Sequence, residues 1–101
     1  MYGTVAHIRM KAGAEAGLDT QLRQFAALHV PGFIATYVYQ MDNDPREAYM
    51  AVVFDSKATY DANAASPEQD QRYREMLTLL EGAPEWHDGE IRMVSASAVP
   101  A

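Results

Sequence analysis

Cysteine is absent from the 101 residues, which excludes disulfides and thiolate metal sites. Long apolar runs are absent too: no stretch approaches the roughly 20 apolar residues that a membrane-spanning helix needs. Positive charge is scarce. Eight Lys and Arg face fourteen Asp and Glu, a formal net charge of −6, whereas nucleic-acid binding needs a basic footprint. Arg72 and Arg74 lie close together, and two residues apart on a helix they point to different faces. The three histidines, His7, His29 and His87, show no H-x-H or H-x₃-H spacing, so a zinc site is not expected. Gly13 and Gly17 do not build a G-x-G-x-x-G phosphate loop after the first strand. Met1-Tyr2-Gly3-Thr4 lacks the basic region, apolar core and cleavage site of a signal peptide, so a cytoplasmic location is the expectation, with no nucleic-acid or membrane partner.

What is there is a globular composition, 49% apolar. Its length suits a single domain over residues 1–101 that buries roughly two-thirds of its unfolded surface. No linker or low-complexity segment divides it. The clearest local code is Ser66-Pro67-Glu68-Gln69: a capping serine, a proline at the first helical position and a glutamine three residues on. Tyr73, Met76, Leu77 and Leu80 then recur at helical spacing until Gly82 and Pro84 stop the helix. Upstream, Asp55 or Ser56 caps a shorter segment, so the helix has two parts.

The remaining elements follow from period and punctuation. Tyr2 to Met10 reads as a strand, with Thr4, Ala6, Ile8 and Met10 on one face and Val5, His7 and Arg9 on the other. Leu18, Leu22, Phe25 and His29 trace a helix that starts near Ala14 and ends before Pro31. Phe33 to Met41 is a second strand and Glu47 to Phe54 a third, joined as a hairpin through the turn cluster Asp42-Asn43-Asp44-Pro45. Trp86 to Val94 is the last strand, with Asp88-Gly89 a candidate bulge, and Ser95 to Ala101 is a tail of small residues. The order β-α-β-β-α-β predicts an α+β, ferredoxin-like fold: a four-stranded antiparallel sheet with both helices on one face.

The middle strands are apolar on both faces. Ala48, Met50, Val52 and Phe54 alternate with Tyr49, Ala51 and Val53; Ile34, Thr36 and Val38 alternate with Phe33, Ala35, Tyr37 and Tyr39. A half-solvated sheet alternates apolar with polar. Two helices cover only one face, so the pattern predicts a homodimer with the sheets face to face.

With the elements in place, the chain resembles the antibiotic-biosynthesis monooxygenase family of the dimeric α+β barrel superfamily. The resemblance rests on Arg9-Met10-Lys11-Ala12-Gly13 ending strand one, Val30-Pro31-Gly32-Phe33 leading into strand two, and Phe54-Asp55-Ser56 leading into helix two. It implies oxygenation of a small phenolic, quinol or anthrone-like aromatic by O₂ without flavin, metal or haem. In that chemistry the deprotonated substrate reacts with O₂ itself, while the protein supplies a dry pocket, a proton acceptor and hydrogen bonds to the developing charge. In the aromatic-polyketide type, an Asn on helix two is followed four residues later by a Trp and then by a Tyr. Asn63 and Tyr73 stand at matching places here, and Pro67 stands where the Trp would be. A haem-degrading branch uses a His late in helix two; Met76-Leu77-Thr78-Leu79-Leu80 has none, so haem is not expected.

The candidate catalytic residues are therefore Asn63, to hold a substrate oxygen, Tyr73, through its hydroxyl, and His87, a base accepting a proton near pH 7. Trp86 and Arg92 are candidates for substrate binding. Each has a plainer structural use. Asn63 can end its helical segment, Tyr73 and Trp86 can pack in the core, His87 can lie exposed on a strand, and Arg92 can pair with Glu90. His7 is expected in the interface or a polar network, and His29 at the helix dipole. Tyr37, Tyr39 and Tyr49 read as interface aromatics. A non-catalytic ligand-binding or scaffold dimer, and a cofactor-free isomerase or cyclase, are the alternative functions.

Overall fold

The computed structural model describes residues 1–97; of the tail read from Ser95, residues 98–101 lie outside the described residues. Alternating residues of β1 (Tyr2–Arg9) divide between two environments. Thr4, Ala6, Ile8 and the following Met10 are buried, whereas Val5 is 48% exposed. β1 lies between β3 (Asp44–Phe54) and β4 (Glu85–Glu90), and β2 (Phe33–Met41) flanks β3, so the sheet order is β2-β3-β1-β4, all neighbours antiparallel. Helix α1 (Glu15–Ala27) follows β1, and α2 (Lys57–Ala64) and α3 (Pro67–Leu77) follow β3. This is the expected ferredoxin-like α+β plan. Ala6, Ile8, Met10, Ala48 and Met50 from the sheet meet Leu18, Met76 and Leu80 in one buried cluster.

Both caps in the divided helix are made. Ser56 accepts a hydrogen bond from Thr59 N–H, and Ser66 accepts one from Gln69 N–H with Pro67 in the first turn. Helix α1 starts at Ala14 without a side-chain cap.

Several boundaries and one register differ from the sequence reading. Helix α1 stops at Ala27, and His29 lies beyond it in the left-handed region at φ 53°, so it takes the role usually given to glycine. In the hairpin, Met41 pairs with Asp44 across a two-residue Asp42-Asn43 loop; Asp44 and Pro45 thus belong to β3. A register shift between Phe33 and Ala35 turns Phe33 onto the helix side, against Phe25 and Phe54, although strict alternation places it with Tyr37. Helix α3 ends at Leu77, because the Leu79 carbonyl accepts from Lys11 N–H and Glu81 N–H donates to the Arg9 carbonyl. Those bonds extend the end of β1 and draw Leu80 into a bridge with Met10.

The last strand is also shorter than its apolar pattern. Tyr2, the first residue of β1, pairs with Glu90, and the Ile91 N–H to Met1 carbonyl bond is the final rung. Past it the described residues form no further rung, and Arg92 lies outside the sheet. Asp88 and Gly89 keep regular register opposite Thr4 and Gly3, with no bulge.

Candidate active site

Between the sheet and the helices lies a cavity of about 430 Å³. Helical spacing builds two of its walls. Tyr60, Asn63 and Ala64 share one face of α2; Gln69, Arg72, Tyr73 and Met76 share one face of α3, and all seven line the cavity. One hydroxyl joins α2 to α3 across the break between them. Ser66 Oγ donates to the Asn63 carbonyl at 2.9 Å while accepting from Gln69 N–H at 3.1 Å. The strands contribute Thr4, Thr36, Met50, Val52 and Phe54, and α1 contributes Leu22 and Phe25.

Asn63, Tyr73 and Trp86 are brought together here. Asn63 is half-buried, and its Oδ1 accepts a long 3.4 Å bond from Arg72 Nη2. Its amide nitrogen makes no hydrogen bond among the described residues, leaving a donor for a ligand oxygen. The Tyr73 ring lies 6.1 Å from the Trp86 ring. Arg72 stands 5.0 Å over the Phe25 ring and donates through Nε to Gln69 Oε1 at 3.0 Å, so the one guanidinium of the cavity is braced rather than loose.

His87 and Arg92 are not brought to the cavity. On β4 the side chains alternate, Trp86 and Asp88 toward the helices and His87 away from them. His87 is exposed and bonds Glu85 Oε1 at 3.0 Å. Arg92 follows the end of the sheet, and Glu90 contacts the Met1 amino group at 3.6 Å instead.

Tyr60, Asp88 and Thr4 are among the polar lining residues that the sequence reading did not name for the site. Tyr60 donates its phenol proton to Asp88 Oδ1 at 3.0 Å. Burial, reinforced by that carboxylate, pushes the phenol up to about 12, so Tyr60 is a donor at any ordinary pH. The third is Thr4, 5% exposed, whose Oγ1 lies near the Tyr60 phenol without a close hydrogen bond among the described residues. The signals were present: Tyr60 is three residues before Asn63, and Asp88 and Thr4 share the helix-facing parity of Trp86 and Ala6.

A separate ion network lies on the other face of the sheet. Arg9 bonds Asp44 at 2.9 Å, Glu47 at 2.6 Å and Glu81 at 3.0 Å, Glu47 also bonds His7, and Arg46 bonds Glu81. Hydrogen bonds from Arg9 hold the Asp44 and Glu47 carboxyls below their ordinary range. His7 thus belongs to a polar network, with its ring 5.1 Å from Tyr49. Among the described residues, no three His, Asp or Glu side chains are grouped as metal ligands.

The chain belongs to the antibiotic biosynthesis monooxygenase family, whose model matches residues 1–75. No curated protein matches its sequence. Among solved structures, SnoaB, a cofactor-independent oxygenase from Streptomyces nogalater, superposes with a TM-score of 0.76 at 16% identity, over 92% of this chain and 94% of that one. A Chloroflexus aurantiacus protein provisionally described as an antibiotic biosynthesis monooxygenase gives 0.72 at 22% identity, over 98% of each chain. A conserved protein from Methanosarcina mazei gives 0.72 at 17%, over 87% and 89%. At such identities the likeness is one of fold.

Proposed function

We propose that this chain is a cofactor-independent monooxygenase that oxidises a small phenolic, quinol or anthrone-like aromatic with O₂ in the cavity between sheet and helices. The observation that carries the reading is the cavity itself: apolar and aromatic walls with Asn63, Tyr73 and Trp86 among its lining residues. In an anthrone-type reaction a ring CH₂ becomes C=O. The substrate loses two hydrogens and gains one oxygen atom, the second oxygen leaves as water, and all four electrons come from the substrate. No external reductant is needed. The role of the protein is to hold the ionised substrate oxygen, for which Asn63 Nδ2 is the proposed donor, to stack the ring against Trp86 and Tyr73, and to keep water away. His87 and Arg92 have no part in this proposal, because neither lines the cavity.

The functional unit is proposed to be a homodimer of single-domain chains, because the sheet face away from the helices leaves Tyr37, Tyr39 and Tyr49 exposed. The deciding experiment is O₂ consumption by the purified protein with an anthrone, alongside formation of the anthraquinone. Uptake above the uncatalysed rate, by protein free of flavin, haem and stoichiometric zinc, is expected. Tight binding of the anthrone with no O₂ uptake would replace the oxygenase with a ligand-binding protein.

A further inference from the structure

At the end of the cavity bounded by β4, three side chains from three elements form a cluster whose composition points to a ligand. Thr4 of β1 and Asp88 of β4 are direct register partners, and Tyr60 of α2 bonds Asp88 Oδ1. Each has spare or fixed capacity of a particular kind. Asp88 Oδ2 makes no hydrogen bond among the described residues, so one acceptor is open. Thr4 Oγ1 is buried near the Tyr60 phenol and makes no close hydrogen bond, although a buried hydroxyl ordinarily has one. Tyr60 cannot swing freely, because its ring packs edge-on against Tyr2 at 5.2 Å and Phe54 at 5.5 Å. It therefore holds the Asp88 carboxylate in one orientation. At the α3 side the polarity is reversed, with Arg72 and the Asn63 amide as donors.

Building on the reading of this cavity as the substrate site, we propose that Thr4, Asp88 and Tyr60 form a hydroxyl-reading pole: a phenolic O–H of the ligand donates to Asp88 Oδ2 and accepts from the Thr4 hydroxyl. Tyr60 is a positioning residue, since it acts through Asp88. The pole selects hydroxyl-bearing aromatics over their methyl ethers, which cannot donate. It also selects them over aromatic carboxylates, which bring a second negative charge to Asp88. A site that hydrogen-bonds a substrate hydroxyl rejects the analogue lacking it because its own polar groups are left unpaired.

The test is calorimetric titration of the full chain with 1-naphthol, 1-methoxynaphthalene and 1-naphthoate, with the Trp86 indole N–H resonance, the only one in the protein, reporting occupancy of the cavity. Wild-type protein is expected to bind 1-naphthol at least about tenfold more tightly than either analogue, the range for one charge-assisted hydrogen bond, with the indole resonance shifted. Asp88→Asn keeps an acceptor for Tyr60 but can present N–H₂ to the ligand, and is expected to bring the naphthol-to-ether ratio within about twofold. Thr4→Val and Tyr60→Phe lower the same ratio, whereas a merely structural role would weaken the binding of naphthol and ether together. Failure of 1-naphthol to bind, equal affinity for naphthol and ether, a preference for naphthoate, or an undiminished ratio in Asp88→Asn each overturns the proposal. Its fate is separable from that of the oxygenase reading. Discrimination without O₂ uptake on an anthrone upholds the pole and sinks the oxygenase, and uptake without discrimination does the reverse.

Discussion

Asn63 is held in the cavity by one long hydrogen bond from Arg72, so little of the fold depends on its side chain. Asn63→Ala is therefore expected to shift the melting temperature by only a few degrees, since a single ordinary hydrogen bond contributes roughly 1 kcal/mol. Loss of a preorganised donor to a developing oxyanion costs about 10²-fold or more in turnover. Comparing thermal melts with O₂-electrode rates separates the two effects, and a variant with normal turnover removes Asn63 from the mechanism. Thr4 supplies the opposite case. Its buried hydroxyl makes no close hydrogen bond, so Thr4→Val is expected to leave the melting temperature unchanged or raise it. A fall of several degrees shows that the hydroxyl is bonded after all. Tyr60 adds a pH signature. Its folded value near 12 lies above the ordinary 10, so the folded state binds the extra proton between those values and stability falls as pH rises from about 10 to 12. Denaturant titrations across that window should show a shallower fall for Tyr60→Phe than for wild type.

Helices α2 and α3 behave as one positioning element because Ser66 touches both. Its Oγ caps α3 and bonds the Asn63 carbonyl at the end of α2. Ser66→Ala removes both bonds; the cap alone is worth about 1 kcal/mol, or roughly 4–8 °C in a domain of this size. It also unties the two segments that carry Asn63 and Tyr73, so turnover should fall by more than the stability loss explains. Activity measured well below the melting temperature checks this. At the far end of the sheet, Arg9 joins β1 to the start of β3 through Asp44 and Glu47. Their lowered carboxyl values mean that the folded state resists protonation. The contribution is complete above the ordinary values of 3.8 and 4.5 and is lost as pH falls below them. Glu47→Gln should accordingly flatten the acid limb of a stability-versus-pH curve. An unchanged limb assigns acid sensitivity to other carboxylates.

For the whole molecule, the sheet has one face occupied and one open. The open face carries Val5 at 48% and Tyr39 at 59% exposure, with Tyr37 and Tyr49 beside them, a contiguous apolar surface of the kind that marks an interface. Sedimentation at micromolar concentration is expected to give a dimer, and Tyr39→Glu, which places a charge opposite Tyr49, should shift it toward monomer. A wild-type monomer at that concentration refutes the face-to-face assembly. The cavity lies on the other side of the sheet, between it and the helices.

Local chemistry written in consecutive residues was legible without the fold. The Ser66-Pro67 cap, the alternation of β1 and the doubly apolar middle strands need only neighbours in sequence, and together they define the α+β plan and the two-part helix. The boundaries that failed are those where a distant backbone competes. Leu79 and Leu80 left the helix for the end of β1, and the described residues past Ile91 make no further rung with it. The site divided in the same way. Asn63, Tyr73 and Trp86 could be named from residue type and resemblance. Discarding His87 and gaining Asp88 depended on the parity of β4 against β1, which only pairing with Thr4 decides. Tyr60 and Thr4 carry no motif; their meaning arises from a packed ring, a carboxylate 28 residues away in the chain and a buried hydroxyl without a close hydrogen bond. Sequence spacing carries the period of each element. Which face of one element meets which face of another is settled by burial and hydrogen bonding across the fold.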